Sequence, residues 1–202
     1  MRRVILTTPP APARAPRPHR RARGFSLIIA MLMLAVIGLA SAAIMRNATT
    51  GDQVANNNRL QTQANQYAQF ALRWCERQLT LDAGSRATTV FAATNPPAWT
   101  SRQNWTVGGS AHGAHTLAAR DIGSAVQPRV FPQCLMESTP TPDVYTVTAR
   151  GFSADFKADP GTGATRNGSA VWLQATIHAE GENSGPLNVR QRLWQQLLTP
   201  PF

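Results

Sequence analysis

"RRARGFSLIIAMLMLAVIG", Arg20 to Gly38, joins a block of arginines to an apolar run through one glycine and one phenylalanine. From Phe25 to Met45 no residue carries a charge, and a helix of that length is about 31 Å long, enough to cross the hydrocarbon core of a bilayer. Three readings of the junction compete. The run is a secretory signal, with Ala40-Ser41-Ala42 as its small-x-small cleavage site; it is a permanent anchor; or a leader is cut off after Gly24 and the apolar helix stays in the mature chain.

The charge balance agrees with a targeting role for the first 24 residues. The formal charge is +10 over 202 residues, but seven arginines precede Gly24 and no acid does. The remaining thirteen cations are interspersed with ten acids, an ordinary balance for a folded domain, so nucleic acid is not expected as a partner. "TTPPAPARAPRPHRRARG" is too poor in apolar residues to build a core and is expected to be disordered. A basic block ahead of an apolar run holds the N-terminus in the cytoplasm. Everything after Met45 is therefore expected in an oxidising compartment.

Helical periodicity continues beyond the apolar run. Leu60, Ala64, Tyr67, Ala71 and Trp74 recur at intervals of four and three, with Ala68, Leu72, Cys75 and Leu79 widening the stripe and glutamines and arginines on the other side. The spacing predicts one helix over 25–79, about 80 Å long: 25–45 transmembrane, 46–79 amphipathic, docking through Leu60, Tyr67, Ala71 and Trp74. Burying Leu60, Tyr67 and Trp74 is worth about 2 kcal/mol each before entropy is subtracted. "RNATTGDQVANNNR" and its Gly51 predict a bend or loosened turn between the halves.

From residue 80 to 202 the period changes. "TNPPAWTSRQ" reads as a loop, and "NWTVG", "HTLAAR", "VFPQCLM", "DVYTVTARGF" and "SAVWLQATIHA" read as strands. In the last two, Tyr145, Val147 and Ala149 oppose Val144, Thr146 and Thr148, while Val171, Leu173, Ala175 and Ile177 oppose Gln174, Thr176 and His178. They are expected to form a hairpin across a glycine-rich connection. The tail "LNVRQRLWQQLL" fits both a helix and an edge strand, and the strand is the expectation. The class is α+β.

A basic leader ending in Gly24, then Phe25, then an apolar helix that becomes amphipathic and feeds an antiparallel sheet, resembles a type IV prepilin. "RGFSLIIAMLMLAVIGLA" is similar to the start of PilX-type minor pilins, which are similar in role to the GspK subunit of type II secretion. "VYTVTARGFS" and "GSAVWLQATI" resemble their paired closing strands. The likeness covers the N-terminal helix and these two strands; 80–130 rests on architecture alone.

The resemblance implies that a prepilin peptidase cuts between Gly24 and Phe25 and that the new amine of Phe25 is N-methylated. Most pilins carry glutamate as the fifth mature residue, where it pairs with the terminal amine of a neighbour. Here that position is Ile29, and PilX and GspK relatives share the lack. A subunit without the acid needs no neighbour above it, which suits the tip or the initiating complex. The leader is also longer than is typical. The resemblance implies a structural subunit, not an enzyme, whose partners are other minor pilins, the major pilin, the inner-membrane assembly platform and the prepilin peptidase. It would sit in the inner membrane with a periplasmic domain before assembly and on the cell surface afterwards. A type II secretion pseudopilin, a DNA-uptake pilin and a periplasmic binding module remain as alternatives.

Cys75 and Cys134 are the only cysteines. In an oxidising compartment they are expected to pair, closing a loop worth about 4 kcal/mol by the chain-entropy estimate; two buried thiols are the alternative. His112 and His115 have an H-x-x-H spacing but no third ligand nearby in sequence, so no metal is expected. "GTGATRNGS" is similar to a phosphate loop but lacks its lysine, and no nucleophile motif is present, so no cofactor and no catalytic residue is expected. Asp155, Asp159, Glu180 and Glu182 read as solvated loop charges rather than calcium ligands.

Overall fold

Helix α1 runs from Phe25 to Leu79 without interruption. The structure, a computed structural model, describes residues 25–105, 113–123, 128–159, 165–181, 185–199 and 201. The loosened turn expected around Gly51 is absent, because helical hydrogen bonding continues through it. Poor propensity there costs tenths of a kcal/mol per residue and about 1 kcal/mol at Gly51, whereas breaking an established helix forfeits cooperative elongation. Thr49 and Thr50 turn their hydroxyls back onto the helix, donating to Arg46 O at 2.9 and 3.0 Å.

The chain divides into two compact units at Thr50/Gly51. The first consists, in its described part, of helix alone. The second takes in α1 from Gly51 onward and, among the described residues, eight strands: β1 (Val90–Phe91), β2 (His115–Thr116), β3 (Gln133–Ser138), β4 (Val144–Phe152), β5 (Lys157–Ala158), β6 (Thr165–Asn167), β7 (Ala170–Glu180) and β8 (Asn188–Leu197). The main sheet has the order β1-β3-β4-β7-β8, with β2 also on β3; among the described strands only β1 runs parallel to its neighbour. A small β5-β6 ribbon occupies the β4-β7 connection.

β4 and β7 form the antiparallel pair that their alternation predicts, in register from Val144↔His178 to Phe152↔Ala170. One face buries Tyr145, Val147, Ala149, Leu173, Ala175 and Ile177 against α1. The opposite face buries Leu135 and Trp172 under a cover that includes Ala98 and Trp105. This cover corrects two expectations. Asn104 and Trp105, expected in a strand, lie in the 3-10 turn Arg102–Trp105, and 106–108 lie outside the described residues. "HTLAAR" is a strand only at His115 and Thr116; it then turns into helix α2 (Ala119–Ile122), where Asp121 Oδ2 accepts from Ala118 N at 2.7 Å. Polar contacts that alternation cannot reveal fix the cover: Glu137 Oε2 on β3 accepts from Ala98 N at 2.7 Å and ties it to the sheet, while within the cover the Trp105 indole donates to Trp99 O at 2.8 Å.

The C-terminal end of α1 is tied down from a distance. Leu79 O accepts from Leu187 N at 3.2 Å, and the Arg86 guanidinium reaches Leu79 O, Leu81 O and Gly185 O at 3.0 to 3.4 Å. The bonds to Leu79 O satisfy a carbonyl that the helix end leaves without a partner.

Candidate functional site: the exposed apolar helix and the docking seam

Thirteen large apolar side chains between Phe25 and Met45 are exposed, Phe25 at 71% and Leu39 at 74% among them. Each is worth about 1.5–3 kcal/mol when withdrawn fully from water, so the span is tens of kcal/mol out of place in water. The helix is long and apolar enough to cross a membrane. Ile29 lies within it, 42% exposed, and contributes no carboxylate to the span. Gly24, the other half of the expected cleavage junction, lies outside the described residues.

The docking face on the second unit is narrower than its expected composition. Its fully buried line is Ala64, Ala68, Ala71, Cys75 and Leu79, with Trp74 at 7% exposure; Leu60 and Tyr67 are only half-buried at its margin. The burial expected for all three large side chains therefore applies to Trp74 alone. Small residues face the sheet because the helix backbone comes close to it. A Cβ placed on Gly151 in β4 would overlap Ala68 N and Ala64 O and lie 2.7 Å from Tyr67 C. A glycine inside a strand pattern signals such an approach, and Gly151 in "TARGF" is the sequence signal that the apolar periodicity overlooks.

Cys75 and Cys134 are joined by a disulfide across this seam, linking helix to β3. Beside it His115, whose register partner is Cys134, stacks on Trp74 with ring centroids 4.5 Å apart and planes 6° from parallel. His112 lies outside the described residues. His115 Nε2 is buried without a hydrogen-bond partner, and no group of three metal-binding side chains occurs among the described residues. Burial pushes the imidazole below its ordinary value of 6.5; the Asp121 carboxylate opposes that shift and Arg120 adds to it.

A folded-state value below the unfolded one means that the unfolded chain takes up a proton the fold refuses, so stability falls as pH drops below about 6.5. Glu137 works in the opposite direction. Burial raises its carboxyl above 4.5 against the bonds from Ala98 and Trp99, so its contribution is present below that value and fades as pH rises. Comparison with His115→Phe, which keeps the stack on Trp74, isolates the imidazole. The wild-type melting temperature should fall more between pH 7 and pH 5 than that of the variant; equal falls would rule the effect out.

On the opposite face, Arg150 lies among three rings, with its guanidinium carbon 5.1 to 5.4 Å from the centroids of Phe152, Trp172 and Trp105. It donates to Gln133 Oε1 at 2.6 Å and to Trp105 O. Burial lowers its pKa to about 10, which leaves it charged at neutral pH. It holds the cover to the sheet. The expected loop charges are engaged: Asp155 accepts from Ser153, Asp159 pairs with Arg166 at 2.6 Å, and Glu180 pairs with Arg190 at 2.9 Å. Glu182 lies outside the described residues.

The fold is thus α+β: one apolar helix that an aqueous domain has no use for, continued by a half that is riveted to a mostly antiparallel sheet. Comparison with family models, with curated proteins and with solved structures found no match for this chain.

Proposed function

We propose that this chain is a minor pilin of the PilX type, a non-catalytic subunit that primes assembly of a type IV pilus or sits at its tip. The observation that carries the reading is the division of labour within α1. Its charge-free stretch Phe25–Met45 is exposed throughout, and one face of its continuation Ala64–Leu79 is buried against a sheet. A signal sequence would need no docked continuation, and a plain anchor would not need the helix itself to be built into the domain. In the proposed role the leader is removed after Gly24, Phe25 becomes the methylated N-terminus, and the apolar span leaves the inner membrane to pack among the spans of other pilins. Ile29 supports a position with no subunit above it, because a buried carboxylate without its amine partner costs several kcal/mol and isoleucine costs nothing there.

The test replaces 25–45 by an unrelated membrane span of equal length in the cells that make the protein. Fibres sheared from the surface should fall to the level of a deletion strain while the chain remains in the membrane. The wild-type mature chain should have the intact mass of one beginning at methylated Phe25. Normal fibre numbers with the foreign span, or a mature start at Ala43 or an uncut Met1, would overturn the reading.

A further inference from the structure

Strand β8 ends the main sheet, and among the described residues nothing pairs with its outer side. Alternate residues of an antiparallel edge strand turn their N–H and C=O groups away from the sheet, offering a template for another strand. Such edges are ordinarily short, broken by proline or covered. β8 is ten residues long and proline-free, and nine of its ten residues are exposed, including Leu193 at 71% and Trp194 at 59%. Its partner β7, by contrast, is buried along most of its length.

The surroundings of this edge are net cationic. In register, Arg192 and Trp194 lie opposite Ile177 and Ala175 and so share the helix-side face of the sheet. There a groove runs between β8 and α1. It has a pocket of about 120 Å³ bounded by Leu72, Arg73 and Trp194, and a shallower one of about 370 Å³ bounded by Arg73, Arg77 and Val189. Arg192 is paired with Glu76 at 2.7 Å and Arg190 with Glu180 at 2.9 Å. Arg73 and Arg77, both exposed, have no carboxylate within 4.0 Å among the described residues. The groove therefore carries two cations beyond those its own acids neutralise.

We propose that β8 receives an extended acidic segment of another protein as an added strand, its main chain pairing with the free edge and its carboxylates facing Arg73 and Arg77. Charge selects this occupant. A second copy pairing edge to edge would bring two arginine clusters together, and residues 1–24, with seven arginines and no acid, carry the same sign as the groove. A nucleic acid would satisfy the arginines but leave the row of main-chain groups unpaired. The proposal stands on the edge and the groove and does not depend on the pilin reading.

The test uses the full chain in neutral detergent and a fluorescent ten-residue peptide alternating glutamate with valine. Fluorescence anisotropy should show saturable binding at least tenfold tighter than that of the lysine–valine counterpart. Reversing both free cations in Arg73→Glu/Arg77→Glu, at exposed helix positions, should weaken it tenfold or more. Methylating alternate peptide nitrogens, in two frames, should abolish binding in one frame, as pairing with a strand edge requires and a purely ionic contact does not. Equal binding of the lysine peptide, indifference to the double reversal, or retention of both methylated frames would each overturn the proposal. So would sedimentation of the chain as a dimer that Leu193→Arg dissolves, since a second copy would then hold the edge.

Discussion

Gly151→Ala is expected to destabilise the sheet-bearing unit by about 3 kcal/mol or more, the upper end of what an added methyl costs in a packed core. For a unit of this size that corresponds to a melting temperature lower by about 6–12 °C. The magnitude follows from what the new carbon meets: main-chain atoms of α1 at Ala64, Tyr67 and Ala68, not a side chain that can rotate away. Either the helix lifts off the sheet or β4 distorts, and both separate the alanine line of α1 from Val147 and Ala149. Ala68→Gly should not rescue the variant, because the overlap is with backbone rather than with the alanine methyl. Gly84→Ala, where an added Cβ would meet nothing within 4 Å, is the control and should change stability by less than about 0.5 kcal/mol. Thermal unfolding followed by circular dichroism in detergent reads all three; a Gly151→Ala midpoint within error of wild type would show that the helix does not approach this closely.

Removal of the disulfide should have an effect of similar size by a different route. Cys75 and Cys134 are 59 residues apart in sequence, and opening a loop of that length returns about 4 kcal/mol of chain entropy to the unfolded state. The paired substitution Cys75→Ala/Cys134→Ala should therefore lower the urea midpoint strongly and steepen the slope, because the freed unfolded chain exposes more surface, and reductant should then have no further effect. Wild-type protein should show no free thiol until it is reduced. If the double variant matched wild type in urea, the bond would contribute nothing to the balance between folded and unfolded chain. Both sulfurs are buried in the seam beside Trp74, so loss of the bond also removes the covalent rivet between helix and β3. Gly151 and the disulfide thus hold the same interface, one by permitting contact and the other by enforcing it.

Much of this interface was legible before any coordinates. The apolar run, the change to a stripe at intervals of three and four, and the alternation of β4 and β7 are local patterns, and each follows from a helix or strand having to bury one side. What was not legible has non-local causes. Periodicity marks the docking side of α1 but cannot say how near the sheet comes, so large residues at its margin, Leu60 and Tyr67, look as central as Ala64 and Ala68. "HTLAAR" alternates well enough for a strand, yet Asp121 draws the chain into a turn at Ala118. Arg150 reads as a solvent-facing cation until Trp105 and Trp172, 45 residues before it and 22 after it, are seen to surround it.

The amino-acid order alone determined that a charge-free helix of membrane length opens the described chain and that its continuation must lie on something apolar, because hydrophobic periodicity is written residue by residue. The tertiary structure decided how close that helix lies to β4, which cover closes the other face and which strand is left at the edge. Those depend on the meeting of segments far apart in the chain, where backbone clearance and the pairing of buried polar groups select among arrangements that the local patterns permit equally.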